Sequence, residues 1–379
     1  MALRIEDYAL LSDLASCALV GNDGSIDWLT FPRVDSGACF AALLGDADNG
    51  RWKLAPSVEV ERVERRYRDS SLVLETVFHT AQGSVAVIDC MPPHDDRHDL
   101  VRVVEGRGGS VPMEMALTIR FDYGSVVPWV RKAPGGIEAI GGPDALRLAT
   151  SIPLNGRDLS TVAEFEVREG ERVPFSLGWY ISTERSPQPV DALTAIAETE
   201  AWWANWARSC TYESDYSDQV MRSLIVLKGL THAATGGLLA AATTSLPEEI
   251  GGVRNWDYRY CWLRDATFSL MALQSAGFLS EAEAWRDWLL RAVAGHPGQL
   301  QIMYGPAGER RLSEQEIDWL DGYEGSKPVR IGNAAHGQFQ LDVYGEVLDA
   351  LYQGQRDGEP FSVNTLSLLR NLVRYVAEN

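Results

Sequence analysis

The sequence is short of positive charge. Its 34 lysines and arginines face 53 aspartates and glutamates, a formal net charge of −19. Polyanions are drawn to fields of the opposite sign, so nucleic acid and anionic membrane surfaces are poor partners for this chain. Cysteine is scarce as well: 5 in 379 residues, at positions 17, 39, 90, 210 and 261, with no C-x-x-C pair. An odd, scattered set suits reduced thiols in a cytoplasmic protein better than a disulfide framework. No apolar run approaches the roughly 18 residues of a membrane helix, and residues 1–30 lack the basic start and apolar stretch of a secretory leader. The 6 histidines show no spacing that resembles a metal site. No internal repeat of fixed period is present.

What is present divides the chain in two, and 379 residues are enough to give each part a core. Residues 1–186 read as short strands. The turn Asn22-Asp23-Gly24 separates the β-like runs Cys17–Val20 and Ile26–Leu29. Further alternating segments are Ser71–Phe78, Ser84–Ile88, Leu100–Val104, Met113–Arg120, Leu146–Thr150 and Phe175–Ile181. Gly106-Arg107-Gly108-Gly109 and Ala133-Pro134-Gly135-Gly136 read as turns between them. Many short strands predict an antiparallel β-sandwich. After Ser186-Pro187-Gln188-Pro189 the period becomes helical. Val190–Arg208, within residues 187–212, reads as a linker helix packing across both domains. Residues 213–379 then carry helical patterns at Ser217–Ala233, Leu263–Ser275, Glu281–Ala294, Ala335–Leu351 and Ser362–Ala377. The fold class expected is therefore multi-domain β + α.

The densest chemistry lies in Asn255-Trp256-Asp257-Tyr258-Arg259-Tyr260-Cys261-Trp262-Leu263-Arg264-Asp265. Aromatics, acids and arginines in this proportion are poor core material, because buried charge is costly without a partner. They suit a ligand with many hydroxyls and apolar C–H faces. Aromatic rings cover those faces, while arginine and aspartate bond the hydroxyls with charge-assisted strength. The ligand class indicated is carbohydrate.

These residues resemble the first signature region of glycoside hydrolase family 15, which holds glucoamylases, glucodextranases and actinobacterial-type trehalases. A second stretch is similar to the same family. It runs from Gly322-Tyr323-Glu324-Gly325-Ser326-Lys327-Pro328-Val329-Arg330-Ile331-Gly332-Asn333-Ala334-Ala335 on to Gln338, Gln340, Asp342 and Tyr344-Gly345-Glu346. A third, from Ile5-Glu6-Asp7-Tyr8 through Gly24–Trp28 to Pro32-Arg33 and Asp35-Ser36, resembles the trehalase-like N-terminal domain that precedes some family 15 catalytic domains.

The resemblance implies an (α/α)6 barrel after the β-sandwich, and the helical segments above fill only its N-terminal half. The chain is thus expected to end part-way round an incomplete barrel. Helix faces left without a partner would then bind dye or drive self-association.

By the same resemblance, Tyr258 and Trp262 wall the pocket for a terminal glucose, with Trp256 beside them. Arg264 and Asp265 grip adjacent hydroxyls, and Arg330 and Asn333 add polar contacts. Other readings of these residues stand next to these. Taken outside its eleven-residue context, Arg264–Asp265 also reads as a helix-start ion pair, and Arg330 as an arginine pinning its own loop to a carboxylate. Glu248 and Glu249, after Ser245-Leu246-Pro247, read as solvated or capping as readily as functional. His336 reads as a packed or surface histidine, and Asp342 and Glu346 as helix residues that orient the loops.

Family 15 inverts configuration with two carboxyl groups, an acid on the leaving oxygen and a base on water, roughly 6.5–9.5 Å apart. Its general acid is a Glu that commonly follows a Trp, and none of the 12 tryptophans here is followed by Glu. Both catalytic glutamates are therefore expected beyond Asn379, and Glu324 is the one acid of the second signature to be weighed as a substitute. The function implied is hydrolysis of α-glucosidic bonds in trehalose or the ends of α-glucans, with no nucleic-acid or membrane partner. No cofactor is expected, although resemblance to actinobacterial trehalases leaves dependence on phosphate or magnesium open. The alternative is a non-catalytic glucoside-binding or remnant protein from a split or truncated gene. A phosphorylase on a similar barrel would need an anion site and a different second signature.

Overall fold

Short alternating runs punctuated by glycine become antiparallel strands in the first part of the chain. The structure, a computed structural model, describes residues 2–94, 96–356 and 362–379. The strands in order are β1 (Tyr8–Ser12), β2 (Cys17–Gly21), β3 (Ser25–Thr30), β4 (Ala38–Phe40), β5 (Arg51–Pro56), β6 (Val60–Tyr67), β7 (Leu74–Thr80) and β8 (Gly83–Cys90). They continue as β9 (His98–Thr118), β10 (Trp129–Ala133), β11 (Gly136–Gly141), β12 (Asp144–Thr150), β13 (Asn155–Arg157), β14 (Ser160–Arg168) and β15 (Arg172–Ile181). Both expected hairpins form: β2 pairs with β3 across Asn22-Asp23-Gly24, and β10 pairs with β11 with Ala133 opposite Gly136.

One expectation fails. Gly106–Gly109 is not a turn between two strands but the middle of one strand, β9, which runs unbroken for 21 residues. Its first half pairs with β8 and β15, and its second half with β5 and β14. The glycines serve close approach. A Cβ on Gly106 would lie 2.0 Å from the carbonyl oxygen of Arg168, and one on Gly109 2.2 Å from that of Gln82. Glycine in a strand thus marks the place where the chain passes from one set of neighbours to the other.

The two sets of strands enclose one apolar core, with Ile26, Leu29, Trp52 and Met115 from one and Phe78, Leu100, Leu146 and Phe175 from the other. Inside it lies a charge. Arg102 of β9 is fully buried, bonded through Nε to Asp89 Oδ1 at 2.8 Å and through its Nη atoms to the carbonyl oxygens of Trp52 and Gly24. Its guanidinium also stands 5.1 Å from the Trp52 ring centre, so every side of the cation is answered.

The linker segment forms α1 (Ala192–Ala207), capped by Asp191, whose side chain accepts the N–H of Thr194. Ala192, Ala195 and Ile196 at helical spacing bury against Val73, Ile88, Val101 and Val103. The chain separates into two compact units. The first is Met1–Arg208 with Pro247–Val253 and Asp318–Lys327, and the second is Ser209–Leu246, Arg254–Ile317 and Pro328–Asn379.

In the second unit the helices are α2 (Ser217–Gly229), α3 (Leu263–Ser275), α4 (Leu279–Ala292), α5 (Asp342–Arg356) and α6 (Val363–Glu378). The expected helix Ala335–Leu351 is corrected. Residues Ala334–Gly337 make only a 3-10 turn, and the α-helix starts at Asp342. Asn333 caps that turn by accepting the N–H of Ala335, and Gly337 weakens any continuation. Asp342 therefore opens a helix rather than sitting well inside one. Among the described residues no helix is long and apolar enough to cross a membrane.

Candidate functional site

Four short strands frame the signature residues of the second unit: β16 (Asn255–Asp257), β17 (Cys261–Trp262), β18 (Gln315–Ile317) and β19 (Val329–Ile331). β17 leads directly into α3, so that Arg264 and Asp265 occupy its first turn. Nothing caps this helix through a side chain, and the positive end of its dipole is left to Asp265.

The Asp265 carboxylate is exposed and makes no hydrogen bond or ion pair among the described residues. Arg264 does not pair with its neighbour. Its Nη1 donates instead to Asp342 Oδ2 at 3.0 Å, which sets the first turns of α3 and α5 side by side. Both partners are half exposed, so the guanidinium keeps donors facing solvent. The helix-start ion pair Arg264–Asp265 thus gives way to a pair between helices. Next to it, Tyr258 and Trp262 stand with ring centres 5.2 Å apart at 56°, the first half-buried and the second buried. The aromatic corner ends at Trp262, the residue before α3, and the Asp265 carboxylate lies in the first turn of that helix.

Trp256 and Arg330 form a second pair. The guanidinium lies 4.5 Å from the Trp256 ring centre and reaches Glu316 at 3.2 Å and Glu314 at 3.5 Å. Its backbone is gripped by Ser245, which accepts the Arg330 N–H at 2.7 Å and donates to its carbonyl oxygen at 2.9 Å. Ser245 holds a positive φ of 56°, a conformation that side-chain-bearing residues rarely adopt. Arg330 accordingly pins its own loop to carboxylates, the second of the two readings its sequence context allows.

Asn333 is buried, with its amide donating to the Asp257 carbonyl oxygen at 3.1 Å and its side-chain oxygen capping the 3-10 turn. His336 is half-buried and donates from Nδ1 to the Asn333 carbonyl oxygen at 2.8 Å.

Glu346 on α5 shares a hydrogen bond with Thr267 of α3. Burial, with Asp342 and Asp349 close by, pushes its carboxyl above the usual range. Glu324 belongs to the first unit, in the turn Tyr323–Gly325, exposed and with φ 48°. Glu248 and Glu249 are in that unit too. Among the described residues no group of three or more His, Cys, Asp or Glu side chains is placed to hold a metal ion.

Two residues of the first signature carry more than their sequence context announced. Asp257 and Arg259 are fully buried and form an ion pair, Arg259 Nη2 to Asp257 Oδ2, at 2.8 Å. An acid and an arginine two apart in a strand-and-turn segment are the only sequence signal, and it is a weak one. Volume is no better guide to the site. A cleft of about 950 Å³ in the first unit, with Trp129 in its lining, is lined by none of the candidate site residues.

A sheet-rich unit is thus followed by helices, with aromatic and charged side chains at a helix start. Residues 214–379 match the model of the family described as glycosyl hydrolases family 15, and residues 1–155 match trehalase-like, N-terminal. The chain is 36% identical to a trehalase of Mycolicibacterium smegmatis over 97% of this chain and 60% of that protein. It is 35% identical to a trehalase of Mycobacterium tuberculosis over 97% and 58%, and 34% identical to trehalase 1 of Sulfolobus acidocaldarius over 93% and 60%. A crystal structure of a bacterial glucoamylase complexed with acarbose shares the fold with TM-score 0.63 at 13% identity, covering 100% of this chain and 58% of that one. The chain spans about 60% of the length of the curated relatives it matches. Its likeness to family 15 proteins with a trehalase-like N-terminal region holds along both parts of the sequence.

Proposed function

We propose that this chain carries the glucose-binding side of an α-glucoside hydrolase pocket, with trehalose as the preferred substrate. The carrying observation is that the Asp265 carboxylate, unpaired among the described residues, follows Arg264 in the first turn of the helix that Trp262 precedes. A glucose ring would lay its C–H face on that corner and give adjacent hydroxyls to Asp265 and Arg264. The trehalases among its relatives favour trehalose over glucan ends.

The reading takes residues 1–186 as a β-sandwich domain, 187–212 as a linker helix and 213–379 as part of an (α/α)6 barrel. Hydrolysis would invert configuration, with one carboxyl protonating the glycosidic oxygen while a second removes a proton from the attacking water. No residue of this chain is assigned either role: none of its 12 tryptophans is followed by Glu, and Glu324 lies in the first unit. A cytoplasmic setting fits the scattered thiols. Catalysis without a cofactor is the simplest form of the reading, and phosphate and magnesium are to be varied in its test.

The test is glucose release from trehalose, maltose and isomaltose by residues 1–379 and by a chain of the relatives' length, with and without phosphate and magnesium. Release from trehalose by the longer chain supports the reading. Release from none of the three by either chain, with sugar binding retained, would favour a non-catalytic glucoside-binding protein.

A further inference from the structure

The segments 255–262 and 328–333 of the second unit are joined at Asn255, Trp256 and Asp257, and of these only Asp257 brings a carboxylate to the junction. Asp257, at the end of β16, is wholly buried. Its Oδ1 accepts the backbone N–H of Arg259 at 3.1 Å and the Arg259 Nε at 2.9 Å. Its Oδ2 accepts Arg259 Nη2 at 2.8 Å, the Tyr260 hydroxyl at 3.3 Å and the backbone N–H of Gly332 at 3.1 Å. Its carbonyl oxygen accepts the Asn333 amide at 3.1 Å. Five donors reach the carboxylate, and the one from Gly332 crosses to the other signature.

We infer that Asp257 is a positioning residue that sets the spacing between the segment 255–262 and the segment 329–333, and through it the spacing of the two aromatic pairs of the site. Two features separate this from a carboxylate that merely neutralises Arg259. Gly332 is aimed at Asp257 by a backbone conformation that favours glycine. Its φ is 72°, and a Cβ there would lie 2.0 Å from the Ser313 carbonyl oxygen, so the N–H has one direction. The two bonds that Asp257 makes across the junction also flank the functional side chains. Asp257 lies between Trp256 and Tyr258 in sequence, while Gly332 and Asn333 follow Arg330, whose guanidinium covers Trp256. A shift of the carboxylate by one methylene therefore displaces both walls. A buried ion pair contributes little net stability compared with apolar packing, whereas its directional bonds fix geometry. Buried and saturated with donors, Asp257 is not a catalytic residue.

The consequence for ligand affinity rests on the proposed glucose pocket, and the test keeps the two apart. The chain of residues 1–379 is labelled with 5-fluorotryptophan, and its fluorine resonances are assigned by Trp→Phe variants. Asp257→Glu retains the charge opposite Arg259 but moves the oxygens. Asp257→Asn combined with Arg259→Gln removes both charges and guards against unfolding by an unpaired buried arginine. In both variants the Trp256 and Trp262 resonances shift together while Trp28 and Trp52 of the first unit stay in place. Trehalose, titrated as the probe, binds at least tenfold more weakly. Should Asp257→Glu keep the wild-type Trp256 and Trp262 resonances and wild-type affinity, Asp257 only neutralises Arg259 and the inference is overturned. Shifted resonances in a chain whose wild type binds no trehalose would uphold the positioning role and remove the sugar reading instead.

Discussion

Arg264 and Asp342 hold the first turns of two helices together, Nη1 to Oδ2 at 3.0 Å, while Asp265, the sequence neighbour of Arg264, stays unpaired. The pair is half exposed on both sides, so its worth to stability is about 0–1 kcal/mol. Asp342→Asn should therefore leave the melting temperature nearly unchanged. If Arg264 grips a sugar hydroxyl, losing the partner that steers it should still weaken trehalose binding several-fold. Calorimetry with thermal melts on the same samples separates the two effects, and unchanged affinity would remove Arg264 from the pocket.

Asp265→Ala probes the proposed pocket most directly. Among the described residues the carboxylate has no partner to orphan, so stability should fall by no more than about 0.3–1 kcal/mol, the worth of its interaction with the helix dipole. A charged hydrogen bond to a bound sugar should cost about 2–5 kcal/mol of affinity when truncated. In an active, longer chain the loss should appear in kcat/KM for trehalose. Wild-type binding and kinetics in this variant would refute the assignment.

Arg102 tests the sheet unit. Replacing it by Leu strands the buried Asp89 carboxylate, and breaking such a pair costs about 3–5 kcal/mol. The double change Arg102→Leu with Asp89→Leu should recover a good part of that loss. Urea denaturation of the three chains measures both quantities, and a single variant as stable as the wild type would contradict the burial described.

Glu346 gives stability a pH dependence of known sign. Its carboxyl is raised by burial and by Asp342 and Asp349. The folded chain therefore holds that proton more tightly than the unfolded chain does. Stability from this group is present in full below the unfolded pKa and falls as pH rises through the folded one. Glu346→Gln should accordingly be the more stable protein at neutral pH, with the advantage fading in acid. Melting curves of both proteins from acid to neutral pH decide it.

Thiol chemistry should single out one cysteine. Cys17 and Cys90 are wholly buried, and burial pushes both thiols up to about 12. Cys39 and Cys261 are buried as well, whereas Cys210 is only half-buried. A thiol reagent at neutral pH should label Cys210 in the native chain and all 5 cysteines after denaturation. Fast labelling of Cys261 would mean that the loop before α3 opens in solution.

Unmatched apolar surface should be measurable too. In the second unit Phe268, Phe339, Leu341, Val363 and Val373 are all more than half exposed. A dye that reports apolar surface should bind the chain of residues 1–379 strongly, or the chain should self-associate with concentration. A dye-silent monomer in sedimentation would count against an open helical face.

Much of this molecule is local, and local features are legible in a sequence. Apolar residues at strand and helix spacing, Asn22-Asp23-Gly24 at a hairpin, and Leu263–Ser275 as a helix from end to end follow from periodicity and turn chemistry. The crowding of Trp, Tyr, Arg and Asp at 255–265 is likewise visible in the sequence. Pairing across the chain is another matter. Gly106–Gly109 has the composition of a turn, and only the neighbours packed against its missing side chains make it the middle of a strand. Arg264 has an acid beside it and takes one 78 residues away, because a helix start points i and i+1 in different directions and brings α5 within reach. Asp257 and Asn333 carry the same polar groups as a ligand-binding residue would. Tertiary structure decided that those groups bond one another, since a buried polar atom must find its partner inside the fold.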